Sequence, residues 1–195
     1  MNAKRGLSLM LTMLAIGALG VGMWQLWEGS WIYMKAGLAQ YLLKQAWFRT
    51  VAEGHFTKPW PWADTWPVAR LMLPSRHIDL IVLQGAYGRT LAFGPGFVES
   101  STAPGLPGTT ILTGHRDTHF AFLEHVQPGE YLSLQSPNGS RQSYRVRTRH
   151  IIDRRTGIIR LDQEHRALVL VTCYPFDSPI SGGPLRYVVT AEADG

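Results

Sequence analysis

The chain has 195 residues, 45% hydrophobic and 17% charged, with a formal net charge of +5. That length suits one soluble domain with a modest appendage, and the composition excludes a disordered chain. The basic excess is small and scattered and does not imply nucleic-acid binding; a single cysteine, Cys173, excludes an intrachain disulfide and a cysteine-based zinc site.

Residues 7–27 carry no charge. A helix of that length spans about 30 Å, the thickness of a bilayer core. Lys4 and Arg5 precede it, so the positive-inside rule sets the N-terminus in the cytoplasm and the rest of the chain on the far side. Trp24, Trp27 and Trp31 stand where an outer aromatic belt is expected. A cleavable signal peptide has a shorter apolar stretch ending in small residues; this one ends in tryptophan and reads as an uncleaved anchor. Residues 31–48 read as an amphipathic helix, with Trp31, Met34, Leu38, Tyr41, Leu42 and Gln45 at i, i+3, i+4, i+7 spacing, apolar at all but the last. Its face either packs on the following domain or lies along the membrane. Residues 58–67, KPWPWADTWP, contain Pro59, Pro61 and Pro67, which exclude a regular helix and mark a hinge.

From residue 68 short apolar runs alternate with turn residues. Runs 68–73, 78–83, 109–112, 131–134, 143–150, 167–172 and 185–190 read as strands. Pro- and Gly-rich segments separate them, and Asn138-Gly139 between two alternating runs marks a hairpin. Residues 120–125 read as one helical turn. The pattern predicts an all-β barrel or sandwich. It divides the chain into an anchor (1–29), an amphipathic helix and Trp/Pro-rich neck (30–67) and a β domain (68–195).

Three residues at strand ends could carry chemistry. Cys173 closes the apolar run ALVLVTC; read alone, it is either a packed structural thiol or a nucleophile held rigid and exposed. His115 follows the strand at 109–113, with Gly114 allowing close backbone approach beside it. A metal pair with His119 would need a helix and a third ligand, and GHRDT does not read as helical. Arg186 opens the last strand after a Gly/Pro-rich loop; read alone, it is a rim arginine. Together they supply a nucleophile, a proton-transfer group and a fixed positive charge for an oxyanion. Arg145, Arg147 and Arg149 alternate on one strand and read as a solvated face.

The segments GHRDTHF (114–120), LVLVTCYPF (168–176) and LRYVV (185–189) resemble the sortases, and with KPWPWADTWPVARL (58–71) they look closest to the Gram-negative, marine proteobacterial branch. The family pattern T-L-x-T-C appears here as Val169-Leu170-Val171-Thr172-Cys173, with Val169 in place of the first threonine. The resemblance implies an eight-stranded sortase barrel with short helices behind the transmembrane and amphipathic helices. It implies that Cys173 attacks the Thr–Gly amide of an LPxTG-like sorting signal to form a thioacyl enzyme, which an amine acceptor resolves. His115 would then be the acid/base and Arg186 the holder of the oxyanion, aided by Thr172. Loops 152–165 and 174–185 would shape the substrate groove, with Thr172, Tyr174 and Leu185 against the substrate. No cofactor, metal or nucleic acid is implied. The setting implied is the inner membrane, with the catalytic domain in the periplasm.

Two other catalytic families fit less well. An L,D-transpeptidase has its arginine close after an S-H-G-C-type cysteine, whereas Tyr-Pro-Phe follows Cys173. A papain-like protease carries its cysteine before its histidine, and on a helix. The non-enzymatic reading is a membrane-tethered β-barrel adaptor with a structural cysteine.

Overall fold

Residues 80–83, Leu-Ile-Val-Leu, are apolar without alternation, as a strand covered on both faces must be. The computed structural model describes residues 2–159, 161–179 and 182–194, and in it this run lies in β2 (Ile78–Gln84). Leu80 and Val82 face the barrel core. Ile81 and Leu83 face outward, against Leu43 and Trp47 of the helix α1 (Asn2–Glu53).

The remaining strands are β1 (Pro67–Leu73), β3 (Gly96–Phe97), β4 (Thr109–Thr113), β5 (Tyr131–Gln135), β6 (Arg141–Asp153), β7 (Ala167–Cys173) and β8 (Leu185–Ala193). They close in the order β1–β2–β3–β4–β7–β8–β6–β5, the eight-stranded barrel that the resemblance implied. Closure leaves no unpaired edge. Leucines from alternate positions fill the interior, among them Leu71, Leu112, Leu134, Leu168 and Leu170. Asn138-Gly139 turns the β5–β6 hairpin, with Gly139 N–H donating to Ser136 O at 2.9 Å. The helical turn expected at 120–125 is a 3₁₀ helix, Ala121–His125.

Two features escaped the sequence. β3 is two residues long and sits in a Gly-Pro-Gly segment that reads as a turn, yet it bridges β2 and β4. The pairings β2–β3 and β4–β7 are parallel, which no local pattern announces.

The two helical segments expected before the barrel form one continuous helix, α1. Part of it is long and apolar enough to cross a membrane. Residues 1–40 are a unit of their own, and the barrel's unit begins at Tyr41. Within that second unit α1 buries Leu43, Ala46, Trp47 and Thr50, again at helical spacing. The expected stripe through Tyr41, Leu42 and Gln45 is one step round the helix, with Tyr41 exposed and the other two half-buried. Both stripes satisfy the periodicity; the apolar outer face of β2 selects the one that carries Trp47, which is 1% exposed. The neck then runs along the barrel. Thr65 Oγ1 donates to Gln84 O at 2.7 Å, Gln84 N–H donates to Trp66 O at 2.9 Å, and Trp60 meets Phe93 edge-on at 5.3 Å.

Trp47→Ala is therefore expected to destabilise the barrel unit by about 3–5 kcal/mol, read from the urea midpoint. Arg49→Ala, an exposed change on the same helix, should stay within about 0.5 kcal/mol.

Candidate active site

β7 is apolar on both faces. Leu168 and Leu170 enter the core, while Val169 and Val171 pack outside the barrel with Ile111 of β4, Val188 of β8 and Ile159 from the β6–β7 loop. Alternation therefore puts Thr172 on the inner face and Cys173, half-buried, on the outer.

Two ladders place the neighbours of Cys173. On one side Arg186 of β8 is its direct antiparallel partner, which sets their Cβ atoms about 4.5–5.5 Å apart. On the other side β4 runs parallel, with Thr113 level with Val171. The ladder continues beyond β4: Gly114 N–H donates to Val171 O at 3.2 Å, and Thr172 Oγ1 donates to Gly114 O at 2.7 Å. His115 follows directly, where the chain leaves β4 at the end of the sheet that carries Cys173. The structure thus pairs Cys173 directly with Arg186 and places His115 just beyond the neighbouring strand β4, at the same end of the sheet.

Each neighbour is held by its loop. A Cβ on Gly114 would lie 2.9 Å from Cγ of Phe120, a fully buried ring. Phe120 N–H donates to His115 O at 2.9 Å, closing the segment into a turn rather than a helix. His115 itself is exposed. His119, half-buried beside it, is held below the ordinary histidine range first by burial and then by His115, with Asp117 opposing. Arg116 is buried, and its Nη2 donates to Ser178 O at 2.6 Å. Arg186 is half-buried, and its Nη1 donates to Gly183 O at 2.6 Å and to Leu185 O at 2.8 Å.

The flanking residues are placed as follows. Thr172 is 1% exposed, and its hydroxyl is committed to Gly114 O. Tyr174 N–H donates to Leu185 O at 3.1 Å. The Tyr174 ring stacks on Tyr187 at 6.1 Å, and Phe176 meets Tyr187 edge-on at 5.2 Å.

Away from Cys173 the same sheet face forms a groove of about 820 Å³, floored by Thr109, Val169, Val188 and Thr190 and walled by Ile158 and Ile159. Those isoleucines belong to the β6–β7 loop, one of the two loops expected to shape a groove. Thr109 pins that loop: its N–H donates to Asp162 O at 2.8 Å, and its hydroxyl accepts from Asp162 N–H at 2.9 Å. The groove floor was legible as alternation along β7 and β8, but only once their outer face was known. His150 reaches the groove because a bulge at Arg147 reverses the facing of β6. The same bulge breaks the expected arginine face: Arg145 lies over the Tyr131 ring, Arg147 pairs with Glu192 at 2.9 Å, and Arg149 donates to Val126 O at 2.7 Å.

Residues 71–194 match the family model for the sortase domain. The chain belongs to the sortase family. This sortase is 33% identical over 119 residues to sortase D of Bacillus subtilis (strain 168), a match covering 61% of this chain and 60% of that protein. It therefore spans less than two thirds of that relative's length. Among solved structures, sortase C-1 from Actinomyces oris superposes with a TM-score of 0.59 at 26% identity, over 66% of this chain and 73% of the other. Sortase A from Corynebacterium diphtheriae gives a TM-score of 0.60 at 23% identity over 69% and 63%. A Clostridium perfringens sortase D5 transpeptidase gives 0.65 at 15% identity over 82% and 99%. The last two likenesses concern the fold.

Two outcomes follow from this geometry. Gly114→Ala must displace the buried Phe120 ring and should cost about 1–3 kcal/mol in urea unfolding. The turn at 162–165 should be pH-sensitive. Asp162, accepting from the N–H groups of His165 and Glu164 and from the His165 ring, has its pKa lowered to about 2, while His165 is raised by the same partner. The contribution from Asp162 is present above the ordinary carboxylate value and lost as pH falls through about 2. That from His165 is complete below the ordinary histidine value and lost as pH rises through its raised value. Amide exchange at Glu164 and His165, corrected for intrinsic rates, should thus lose protection on the alkaline side, and His165→Gln should remove that dependence.

Proposed function

We propose that this sortase is a membrane-anchored cysteine transpeptidase that cuts an LPxTG-like sorting signal between Thr and Gly and passes the acyl group to an amine. The observation that supports this reading is the direct pairing of Cys173 with Arg186 on the outer sheet face, with His115 leaving the neighbouring strand at the same end and a groove further along that face. The Cys173 thiolate attacks the Thr carbonyl carbon, and the electron pair of the C=O moves to oxygen. Arg186 holds that oxyanion with its planar donor fork. His115, as imidazolium, gives its proton to the departing Gly nitrogen as the C–N bond breaks, leaving a thioester. An incoming amine attacks the thioester, His115 takes back a proton, and the thiolate leaves.

The groove suits the extended residues before the scissile bond, its valine floor matching the apolar Leu-Pro of such a signal. Tyr174 and Leu185 shape the mouth, and Thr172 steadies the His115 strand end from behind. Residues 1–29 serve as the anchor, 30–67 as the neck and 68–195 as the catalytic barrel. Lys4 and Arg5 before the apolar stretch favour a cytoplasmic N-terminus. With the Gram-negative likeness of residues 58–71, the setting proposed is an inner membrane with a periplasmic barrel.

The test is intact-mass analysis of the detergent-solubilised chain with an LPxTG peptide and a glycine-based amine. Wild type should form an adduct that hydroxylamine releases. Cys173→Ala should form none, and wild-type transfer by that variant would sink the mechanism. Arg186→Lys should lower kcat by roughly 100-fold or more, since an ammonium lacks the fork.

A further inference from the structure

The groups assigned to catalysis are flanked by two loops from distant parts of the chain. Residues 114–120 present His115; residues 174–184 run from Cys173 to Arg186. Backbone ladders fix Cys173 against each strand, but they do not fix one loop against the other. Arg116 joins them. It is 9% exposed, and its Nη2 reaches the carbonyl of Ser178 at 2.6 Å, in the middle of the second loop. A guanidinium is always charged, and burying one is costly unless its donors are used. An apolar residue of similar volume would fill the space at less cost, so filling space is a poor reason for an arginine here.

Each side of this link makes a further contact. Arg116 follows His115 directly, in a turn closed by Phe120 N–H on His115 O and wedged by the Phe120 ring against Gly114. The second loop is gripped a second time by Arg186, through Gly183 O. Two arginines thus hold carbonyls of one loop, one from the His115 side and one from the β8 side.

We propose that Arg116 is a positioning residue: by clasping Ser178 it locks the His115 turn to the β7–β8 loop, so that His115 and Arg186 keep fixed places on either side of Cys173. The proposal rests on the transpeptidase reading above. Arg116 touches neither thiol nor substrate; it sets the distance over which the proton and the oxyanion charge are managed. Misplacement by about 1 Å costs on the order of 100-fold in rate.

The experiment compares wild type, Arg116→Ala and Arg116→Lys as full chains in detergent. It measures adduct formation at Cys173, kcat and KM for transfer, thermal midpoint, and the effect of millimolar guanidinium chloride. Expected for Arg116→Ala is a kcat lower by roughly 10- to 100-fold with KM changed less than about threefold. Added guanidinium should recover part of that kcat. Arg116→Lys should keep the wild-type midpoint and still lose kcat. The proposal is overturned if Arg116→Ala transfers at the wild-type rate. It is equally overturned if activity falls only in step with the thermal midpoint in both variants and guanidinium recovers nothing, which marks a residue needed for folding alone. If wild type forms no adduct, the transpeptidase reading fails and takes this proposal with it; an adduct in wild type isolates the failure to Arg116.

Discussion

The parallel register between β4 and β7 is the constraint on which the site depends. It is carried to its end by two hydrogen bonds, Gly114 N–H to Val171 O and Thr172 Oγ1 to Gly114 O. A slip of one residue would send Cys173 into the barrel and Thr172 out, because side chains alternate with period two. Register here is secured from both sides of the sheet. Leu168 and Leu170 lock the inner face, and Val169 and Val171 lock the outer. A thiol at the end of such a strand needs no loop of its own to hold it.

The three candidate side chains differ in how they are supported. Cys173 is set by two ladders, Arg186 by one ladder and by its own bonds to Gly183 and Leu185. His115 lies beyond the last bridge of β4 and depends on the Gly114–Phe120 wedge.

Much of this was legible in the sequence, and the reasons differ by element. Strand positions were, because apolar runs broken by Gly and Pro leave little choice. The candidates Cys173, His115 and Arg186 were, because each closes or opens a strand beside a loop. Four things were not. The parallel pairing of β4 with β7 joins segments far apart in the chain. The choice of the Leu43–Trp47 stripe on α1 depends on the outer face of β2, which exists only once the barrel has closed. The bulge at Arg147 swaps faces part-way along β6, delivers His150 to the groove and disperses three arginines that looked like one surface. Arg116, in plain view in GHRDT, gave no sign that its partner would be a carbonyl on another loop.

The strand order also bears on how the protein is made. Parallel neighbours cannot be joined by a tight turn, so β4 must wait for the intervening hairpin and the β6–β7 loop before β7 can dock. β8, last in chain order, slots between β7 and β6 and closes the ring. Such long-range pairing makes for late, slow assembly. Until β8 arrives, the thiol has neither its ring of neighbours nor a formed groove beside it. On the proposed transpeptidase reading, Cys173 therefore gains Arg186 as its neighbour only when β8 pairs with β7.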